Sequence, residues 1–361
     1  MKEALNDINW QRAMHEEFTS LQKMKTWELE KLPNETKPIT CRWVLVRKDN
    51  GKYKAQLVAR GFEQTEGINY SETFSPFASY SSIRLIISIA ASRKMKLMTF
   101  DVKTAFLHDD LEEEIYMCQP EGFEDGTSRV CKLLKSLYGL KQSPKKWNEK
   151  FTKFLEVLEF ENTDDDPCIF YKKDKSIILG IFVYDGIIAG DNAEAMIDLL
   201  EKLNRKFEIT YDTAPDSKLT YLGMNIKCNS NEIFVNQSRY TQKILERFKF
   251  DNLNPVSTPI EHGMVTNEEN FINDELLEEC EPYREAVGSL LYLANISRPD
   301  ISFAVNYLSR FSSKPKRSNW TMVRRVFQYL KGTVHYGISF NGEEELMAYS
   351  DAHYGGDLVT R

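Results

Sequence analysis

The sequence predicts an α+β fold, and three observations support that class. Strand-like segments and amphipathic helical segments follow one another without the regular β-α-β alternation of a doubly wound sheet. The chain contains 21 Phe, 17 Tyr and 5 Trp, which is enough aromatic surface to build a large hydrophobic core. Its 361 residues are too many for one small module and are enough for two or three packed units.

The N-terminal half predicts helices and strands in irregular order. Residues 1–30 carry apolar side chains near a 3.6-residue period, so we expect a helix there. The Asp-Asn-Gly sequence at 49–51 is a hairpin signal between two strand-like runs. Pro144 favours the first turn of a helix. The segments predicted after residue 30 are strands at 42–46, 53–58 and 96–102, a helix at 82–93, an amphipathic stretch at 130–137 and a helix that begins at 143.

The C-terminal half shows the same mixture. Apolar runs that end at turn residues predict strands, and apolar side chains at a 3.6-residue period predict helices. Residues 251–281 are rich in Asn, Pro and Glu and have no clear period, so we expect a boundary loop. The Arg-Pro-Asp sequence at 298–300 should interrupt a helix. The predicted segments are strands at 169–171, 176–183, 187–189, 220–226, 232–235, 336–340 and 346–349, and helices at 193–207, 240–248, 282–312 and 320–330.

Composition and residue spacing exclude several classes of protein. Hydrophobic residues make up 42% of the chain and charged residues 28%, and no apolar run reaches the ~18 residues of a membrane span. The N-terminus lacks the apolar segment of a secretory signal. The six cysteines have no Cys-x-x-Cys spacing and the five histidines have no His-Glu-x-x-His spacing. We therefore expect neither a zinc site nor a dense disulfide framework.

The distribution of charge differs from its sum. The formal net charge is −7, which argues against a strongly basic nucleic-acid-binding protein. Residues 127–154 nevertheless carry eight basic residues and one acid, and residues 314–331 carry six basic residues and no acid. Residues 261–285 hold nine acids and one Arg. Local basic faces therefore survive the negative total, and a solvated helix face is the favoured alternative for either run.

Two aspartates lie next to apolar strands. Asp101 ends the apolar run at 97–102, where burying an unpaired carboxylate would be costly. Asp185 lies between apolar residues at the tip of a predicted hairpin. Two acids from neighbouring strands can bind Mg²⁺ through hard oxygen ligands and support two-metal phosphoryl transfer. The alternative is structural, since Asp185-Gly186 is also a tight-turn dipeptide and Asp101 could cap the helix that follows.

Many short motifs occur in one characteristic order. They are Trp27, Arg42–Val44, Tyr53–Ala55, Leu57–Phe62, Glu72–Phe74, Asp101–Leu107, Ile115–Met117, Gln119–Phe123, Leu137–Pro144, Tyr221–Gly223, Gly288–Leu293, Arg298–Asp300 and Tyr329–Thr333. With these motifs, the sequence resembles the reverse transcriptase of copia-type LTR retrotransposons over nearly its whole length. So many matches in one order make the resemblance very specific.

The resemblance implies a right-hand polymerase with fingers, palm and a helical thumb or connection region. It places an N-terminal helical segment at 1–39, fingers and palm at 40–260, the thumb or connection region at 261–335 and a truncated ribonuclease H start at 336–361. Asp351 would be the first catalytic carboxylate of that ribonuclease H domain. We therefore expect a fragment of a longer Pol polyprotein.

The resemblance also implies an activity and its partners. The expected reaction is RNA-directed DNA polymerisation on an RNA or DNA template-primer, with deoxynucleoside triphosphates as substrates and Mg²⁺ or Mn²⁺ as cofactor. Asp101 matches the first metal-binding aspartate of the palm, and Asp185 is its weaker neighbour. The family implies a cytoplasmic protein of virus-like particles, or a nuclear one, without a membrane partner.

Four further residues are assigned to substrate binding by the resemblance. Lys54 and Arg60 fall in the strands expected to hold the incoming triphosphate, for which a cationic pair is suited. A strand edge blunted by charge is the equal alternative for both. Tyr138 and Gln142 fall in the segment expected to flank the nascent base pair and the template. The resemblance then implies that the basic helix beginning at Ser143 faces phosphate, and a solvated helix face is the equal alternative.

Three residues depart from the motifs of the family. The family's hairpin reads aromatic-Val-Asp-Asp, and the matching positions here are Phe182–Asp185, with Tyr184 at the first aspartate. A phenol with a pKa of about 10 supplies no anionic oxygen at pH 7, and strand alternation would point Asp185 to the opposite face. Asp109 stands where the family has Gly, and Gln56 where it has Arg. These departures predict impaired activity; the alternative is a catalytically silent remnant that retains the fold and at most binds nucleic acid.

Overall fold

The computed structural model describes residues 4–47, 51–211, 219–229, 232–261, 274–278, 280–342 and 349–350. Helices and strands are mixed along these residues, which confirms the predicted α+β class. The helices are α1 Ile8–Lys23, α2 Tyr80–Arg93, α3 Ser143–Val157, α4 Ala193–Phe207, α5 Ser238–Arg247, α6 Tyr283–Ile296, α7 Ser302–Ser309 and α8 Arg317–Gly332. The strands are β1 Trp27–Glu30, β2 Cys41–Arg47, β3 Tyr53–Ala59, β4 Lys96–Val102, β5 Asp110–Met117, β6 Val130–Lys135, β7 Phe160–Asn162, β8 Ile169–Lys172, β9 Ile177–Phe182, β10 Asp185–Gly190, β11 Ile209–Tyr211, β12 Leu219–Tyr221, β13 Met224–Cys228, β14 Ile233–Asn236 and β15 Gly337–Phe340. Among the described residues, no helix combines the length and the apolarity that crossing a membrane requires.

The chain forms two compact units, each assembled from separate stretches of sequence. The first unit comprises Met1–Ser79, Phe100–Gly186 and Ile197–Tyr211. The second comprises Tyr80–Thr99, Ile187–Met196 and Asp212–Arg361. The expected segment boundaries after residues 39, 260 and 335 follow the order of the chain and stay predictions.

In the first unit, the N-terminal helix ends before residue 30. Asp7 caps α1, because its side chain accepts a hydrogen bond from the Asn9 N–H at 2.8 Å. The chain then changes to β1, whose residues pair antiparallel with 130–133 of β6. The prediction of helix as far as residue 30 is wrong for β1, because pairing with a distant strand outweighs the local period. The amphipathic stretch at 130–137 contributes that partner strand.

The predicted hairpin of β2 and β3 is confirmed. The two strands pair antiparallel, with Arg42 opposite Val58 and Val46 opposite Lys54. Alternate residues of β3 are buried, and they share one hydrophobic core with side chains of α1, β5 and β6. The turn positions 49 and 50 lie outside the described residues.

A six-stranded sheet carries both candidate acids. Its order is β11-β4-β10-β9-β8-β7, so β4 and β10 are neighbours, and the boundary between the two units falls within these two strands. Within the first unit, α3 packs on one face of the sheet, where the ring of Phe151 lies 6.4 Å from that of Phe100 on β4. Phe151 also lies 5.8 Å from Phe207 of α4. The opposite face of β4 is left for the polar side chains.

The second unit combines a four-stranded sheet, in the order β12-β13-β14-β15, with a helical core formed by α5 to α8. The antiparallel pairs confirm the strands predicted at 232–235 and 336–340. The single strand predicted over 220–226 is wrong, because Leu222 and Gly223 have positive φ and turn the chain between β12 and β13, which pair antiparallel. The predicted interruption between α6 and α7 is also confirmed. At the interruption, the buried Arg298 pairs with Asp300 at 2.7 Å and donates to the Thr333 carbonyl at 2.9 Å. Residues 346–348 of the last predicted strand lie outside the described residues.

Candidate active site

Asp101 lies on β4 with its side chain exposed. Its neighbours Phe100 and Val102 are buried, as the alternation of a strand requires. The cost of burying an unpaired carboxylate is therefore avoided, because Asp101 occupies the polar side of the alternation. Thr104, and not Asp101, is the N-cap residue of the short 3₁₀ turn that follows. The capping alternative for Asp101 is therefore wrong.

The hairpin between β9 and β10 is closed by Val183 and Tyr184. β9 ends at Phe182, and β10 begins at Asp185. The interpretation of Asp185-Gly186 as the turn itself is therefore wrong, because the pair starts a strand. Val183 has a φ of 58°, a left-handed conformation that a β-branched residue rarely adopts.

Two hydrogen bonds hold this turn against its neighbours. The Val102 N–H donates to the Tyr184 carbonyl at 2.9 Å. The Trp147 indole N–H of α3 donates to the Val183 carbonyl at 2.5 Å. The turn therefore lies beside the end of β4, next to Asp101.

Gly186 and Phe100 occupy the opposite face from the acids. A Cβ added to Gly186 would lie 2.1 Å from two carbons of the Phe100 ring, so a side chain does not fit there. Because side chains alternate along both strands, the residues next to this pair, Asp101 and Asp185, share the other face of the sheet.

A side-chain hydrogen bond joins Asp101 and Asp185. Burial, the charge of Asp101 and this hydrogen bond raise the pKa of Asp185 to about 6, and the Lys54 ammonium acts in the opposite direction. The expectation that Asp185 points away from Asp101 is wrong. It assumed that Tyr184 and Asp185 alternate along one strand, whereas Tyr184 belongs to the turn. Two carboxyl groups this close form a site for a shared proton or a cation.

An open pocket of about 560 Å³ lies in front of Asp101. Lys54, Tyr138 and Tyr184 are among the residues that line it. The Tyr184 side chain is partly exposed, and burial together with the charges of Asp185 and Asp101 raises its pKa. The phenol is therefore neutral at pH 7, and it adds a hydrogen-bonding group to the pocket without adding negative charge.

The structure places Lys54 at this pocket and Arg60 away from its lining. Lys54 is exposed on β3, and its positive charge opposes the rise in the pKa of Asp185. Arg60 follows the end of β3. Its charge acts on Glu63, whose pKa is lowered first by hydrogen bonds from Thr40 and then by Arg60. Of the two predicted triphosphate contacts, only Lys54 lies with the acids.

Tyr138 lines the pocket, whereas Gln142 lies behind it. Burial, followed by the proximity of Tyr184, raises the pKa of Tyr138. Gln142 is 1% exposed, donates to the Asn69 carbonyl at 2.9 Å and accepts a hydrogen bond from Gln64 at 3.0 Å. These bonds tie the Gln142 side chain to the loop that contains Gln64 and Asn69. The contact of Gln142 with a template stays a prediction.

Glu17 is a pocket residue that the sequence analysis missed. It belongs to α1, lines the same pocket as Lys54 and accepts a hydrogen bond from the Leu57 N–H at 3.4 Å. Burial raises the pKa of Glu17, while the hydrogen bond from Leu57 and the charge of Lys54 oppose that rise. One Glu on an amphipathic helix is no signal of a site, because only the packing of α1 on β3 brings it to Lys54.

Asp101 and Asp185 supply two carboxylates, which are enough protein ligands for a divalent cation that also binds a substrate. Carboxylate oxygens are the ligands that Mg²⁺ and Mn²⁺ prefer, and Mg²⁺ is usually held by one or two carboxylates together with substrate phosphates. Across the described ranges, no group of three or more His, Cys, Asp or Glu side chains could hold a metal ion. The predicted ribonuclease H carboxylate, Asp351, lies outside the described residues.

Comparison with known proteins identifies the family. The family model described as "Reverse transcriptase (RNA-dependent DNA polymerase)" matches residues 24–262. The chain belongs to the reverse transcriptase family. The matched range contains Asp101, Asp185 and Lys54, and the resemblance drawn from the motifs is confirmed.

The relatives of this reverse transcriptase chain include Pol polyproteins of plant transposons. It is 40% identical to the retrovirus-related Pol polyprotein from transposon TNT 1-94 of Nicotiana tabacum, over 97% of this chain and 27% of that polyprotein. It is 35% identical to the corresponding polyprotein from transposon RE2 of Arabidopsis thaliana, over 98% of this chain and 25% of that polyprotein. The chain thus spans about a quarter of the length of these curated relatives. A solved structure of the foamy viral protease-reverse transcriptase in complex with double-stranded DNA is similar with a TM-score of 0.46 and 13% identity, over 90% of this chain and 49% of that chain.

Two departures from the reverse transcriptase motifs are accommodated locally. Asp109 has a φ of −108°, which any residue adopts, and it pairs with Lys150 at 3.5 Å. Gln56 lies on β3 and lines the same pocket as Lys54. Tyr184 differs from both, because it lies beside the two acids themselves.

The basic run at 127–154 of this reverse transcriptase is largely neutralised within the fold. Six of its eight basic side chains pair with carboxylates, four of which come from Asp109 and the strand β5 that follows it. The pairs are Arg129–Asp125, Lys132–Glu30, Lys132–Glu114, Lys135–Asp110, Lys145–Glu72, Lys146–Glu112 and Lys150–Asp109. Neither sequence interpretation, a phosphate-binding face or a solvated one, anticipated that acids from elsewhere in the chain would cover these lysines.

Proposed function

We propose that this region carries the nucleotidyl-transfer site of an RNA-directed DNA polymerase of the copia type. In this reaction the 3′-oxygen of a primer, which loses its proton, bonds to the α-phosphate of a deoxynucleoside triphosphate on an RNA or DNA template. The bond between the α- and β-phosphates breaks, and pyrophosphate leaves. The observation that carries this proposal is the hydrogen-bonded pair of Asp101 and Asp185 beside a pocket lined by Lys54. An acid pair that can hold a divalent cation, with a cationic side chain nearby, suits nucleotidyl transfer from a triphosphate substrate.

Each predicted site residue of the polymerase region except Gln142 has a role in this proposal. Asp101 and Asp185 would hold Mg²⁺ or Mn²⁺, and the bound cation would supply charge stabilisation for the transfer. Lys54 neutralises the triphosphate, with Arg60 as a second contact beyond the end of the same strand. Tyr138 would pack against the nascent base pair. Its backbone is held in place because its carbonyl accepts a hydrogen bond from the Ala59 N–H at 2.8 Å.

The subdomain assignment is part of the proposal. Residues 40–260 would form fingers and palm, with the helical segment 1–39 packed on them. Residues 261–335 would form the thumb or connection region, and 336–361 would begin a ribonuclease H domain that includes Asp351. The packing of α1 on β3 in one hydrophobic core supports the assignment of 1–39 as a segment packed on the fingers and palm.

Tyr184 limits the activity that we propose. In the motif of the family, its position holds an aspartate, and here it holds a neutral phenol beside two carboxyl groups. Losing an anionic ligand at a metal centre should cost more than the ~10–100-fold lost with outer-shell partners. A second function therefore follows from the same residue, namely a silent remnant that retains the fold and at most binds nucleic acid.

A primer-extension assay separates these two functions. Native chain, Tyr184→Asp, and Tyr184→Asp combined with Asp101→Asn are compared with a labelled primer on an RNA template, in Mg²⁺ and in Mn²⁺. We expect extension by Tyr184→Asp, a rate lower by more than ~100-fold for the native chain, and none for the combined variant.

Each alternative outcome has one meaning. Equal extension by the native chain and Tyr184→Asp would contradict the role given to position 184. Extension by the variant that lacks Asp101 would contradict the site. Extension by Tyr184→Asp together with none by the native chain would establish the native chain as the silent remnant.

A further inference from the structure

Trp147 is a buried residue of α3 that no step of the proposed reaction uses. Its side chain is 2% exposed, and its indole N–H donates to the Val183 carbonyl in the turn between β9 and β10. A backbone carbonyl in a two-residue turn has no strand partner of its own, so a side-chain donor decides where it points.

The turn that Trp147 contacts is strained. Val183 is β-branched and has a φ of 58°, where the Cβ crowds the backbone. Such a conformation persists only when its surroundings hold it. Two contacts hold it here, the indole bond to Val183 and the bond from the Val102 N–H to the Tyr184 carbonyl.

Trp147 is itself held firmly. Its ring lies 5.4 Å from that of Phe151 on the same helix and 5.1 Å from that of Phe207 on α4. The ring of His108 lies 6.3 Å away. An indole enclosed by aromatic side chains has few other rotamers available to it. Its N–H is therefore a rigidly placed donor for the Val183–Tyr184 turn.

We propose that Trp147 is a positioning residue for the two acids. Its indole N–H holds the Val183–Tyr184 turn against α3, and the turn keeps Asp185 within hydrogen-bonding distance of Asp101. The consequence for nucleotide transfer rests on the proposed function. The positioning role itself does not rest on the proposed function, because it can be measured at the backbone hydrogen bond from the Val102 N–H to the Tyr184 carbonyl.

The experiment compares Trp147→Phe with a matched control. Trp147→Phe keeps an aromatic ring and removes the donor. Trp43→Phe makes the same change at a side chain that is 7% exposed and whose indole N–H donates to the Glu121 carbonyl at 3.0 Å, remote from the turn. The readout is amide hydrogen exchange at Val102, whose N–H bonds to Tyr184, compared with Ile181, whose N–H donates to the Cys168 carbonyl at 3.0 Å in the same unit.

We expect exchange at Val102 to be roughly tenfold faster in Trp147→Phe, with Ile181 unchanged and Trp43→Phe like the native chain. Equal acceleration at Val102 and Ile181, or the same acceleration in Trp43→Phe, would overturn the proposal in favour of general destabilisation. Unchanged exchange at Val102 would overturn it directly. If Trp147→Phe does not fold, the exchange of the Trp147 indole N–H in the native chain replaces this readout. Slow exchange supports the bond to Val183, and rapid exchange overturns it.

Activity separates this proposal from the function on which it builds. In the Tyr184→Asp background, Trp147→Phe should lower kcat roughly tenfold and leave the KM for the nucleotide unchanged, because the pocket lining is intact. The expected change at Val102 in a Tyr184→Asp protein that extends no primer would support the positioning role and refute the polymerase. Active Tyr184→Asp protein whose kcat is insensitive to Trp147→Phe would refute the positioning role.

Discussion

Asp101 on β4 and Asp185 on β10 share a hydrogen bond between their side chains. The Val102 N–H bonds the turn before Asp185 to the end of β4, and Gly186 leaves room for the Phe100 ring on the far face. Two carboxyl groups in contact repel each other once both are ionised, unless a proton or a cation lies between them. The arrangement therefore favours cation binding at the expense of fold stability.

Replacing one acid should stabilise the fold and remove its response to metal. Asp185→Asn keeps a hydrogen-bonding partner for Asp101 and removes the repulsion between like charges. We expect the free energy of unfolding at pH 7 without divalent ions to rise by about 0.5–2 kcal/mol, the range typical of a single stabilising substitution. In Tyr184→Asp protein, the rise in Tm that Mn²⁺ causes should disappear when Asp185→Asn is added.

Thermal unfolding with and without Mn²⁺ measures both effects. Asp164→Asn, a change at an exposed acid outside the pair, is the control and should leave both values unchanged. A destabilised Asp185→Asn protein that still responds to Mn²⁺ would contradict the acid pair as the cation site.

Gly186 and Gly288 should respond in opposite ways to alanine. A Cβ at Gly186 would lie 2.1 Å from ring carbons of Phe100, so we expect Gly186→Ala to lower the free energy of unfolding by about 1–3 kcal/mol. Gly288 lies exposed in α6 with nothing within 4 Å of such a Cβ, so Gly288→Ala should raise it by up to about 1 kcal/mol. Urea unfolding of both variants measures the contrast. An unchanged free energy of unfolding for Gly186→Ala would show that the Phe100 ring can move aside. The contact between Gly186 and Phe100 would then not be what places Asp101 and Asp185 on the same face.

Asp300 predicts acid-sensitive stability in the second unit. Burial raises the pKa of Asp300, but hydrogen bonding and charge from Arg298, together with a hydrogen bond from Tyr329, outweigh burial and hold the pKa below its ordinary value. A carboxyl with a lowered folded pKa stabilises the fold above its ordinary pKa of about 4, and this stabilisation is lost as the pH falls through the folded value. We expect Asp300→Asn to lower the free energy of unfolding by about 2 kcal/mol at pH 7, and by much less near pH 3.

Urea unfolding at the two pH values tests this expectation. The control is Glu16→Gln, because the Arg12–Glu16 pair has side chains 83% and 60% exposed and should contribute at most about 0.5 kcal/mol. The same loss for Asp300→Asn at both pH values would show that its charge is not what stabilises the unit.

Lys54 and Arg60 should differ in their effect on nucleotide binding. Lys54 lines the pocket and acts on the pKa of Asp185, whereas the charge of Arg60 acts on Glu63. In Tyr184→Asp protein, we expect Lys54→Ala to raise the KM for the nucleotide by about tenfold or more, and Arg60→Ala to raise it less. Steady-state primer extension at varied nucleotide concentration measures both. A larger effect from Arg60 would place the triphosphate outside this pocket.

Local patterns predicted most of the elements. Three elements were predicted correctly because the pattern that specifies each lies within a short stretch of sequence. They are the apolar strand β4, the hairpin of β2 and β3, and the amphipathic helix at 193–207. The helix predicted as far as residue 30 failed at β1, because Trp27–Glu30 is a strand only through pairing with 130–133. That pairing depends on a segment about a hundred residues away and leaves no local trace.

The candidate site was predictable in its parts and not in its contacts. Asp101 and Asp185 stood out because acids beside apolar strands are uncommon. Whether the two acids share a face depends on which residues of 182–186 form the turn. Alternation alone predicted opposite faces, which is wrong because Val183 and Tyr184 form the turn. Glu17 and the acids that cover the lysines of α3 were missed, because exposed charges on helices and strands have no sequence signal for their partners.

Paramagnetic titration with Mn²⁺ locates the cation directly. The amides of Val102 and Gly186 lie one residue from Asp101 and Asp185, so Mn²⁺ bound by this pair should broaden them, together with the amides of the two acids, before signals elsewhere in the chain. We expect that order of broadening in the Tyr184→Asp protein, with a higher Mn²⁺ concentration required in the native chain and selective broadening abolished by Asp101→Asn. Mn²⁺ that first broadens signals around the exposed acids at 164–165, and leaves Val102 and Gly186 sharp, would contradict a cation site made by Asp101 and Asp185.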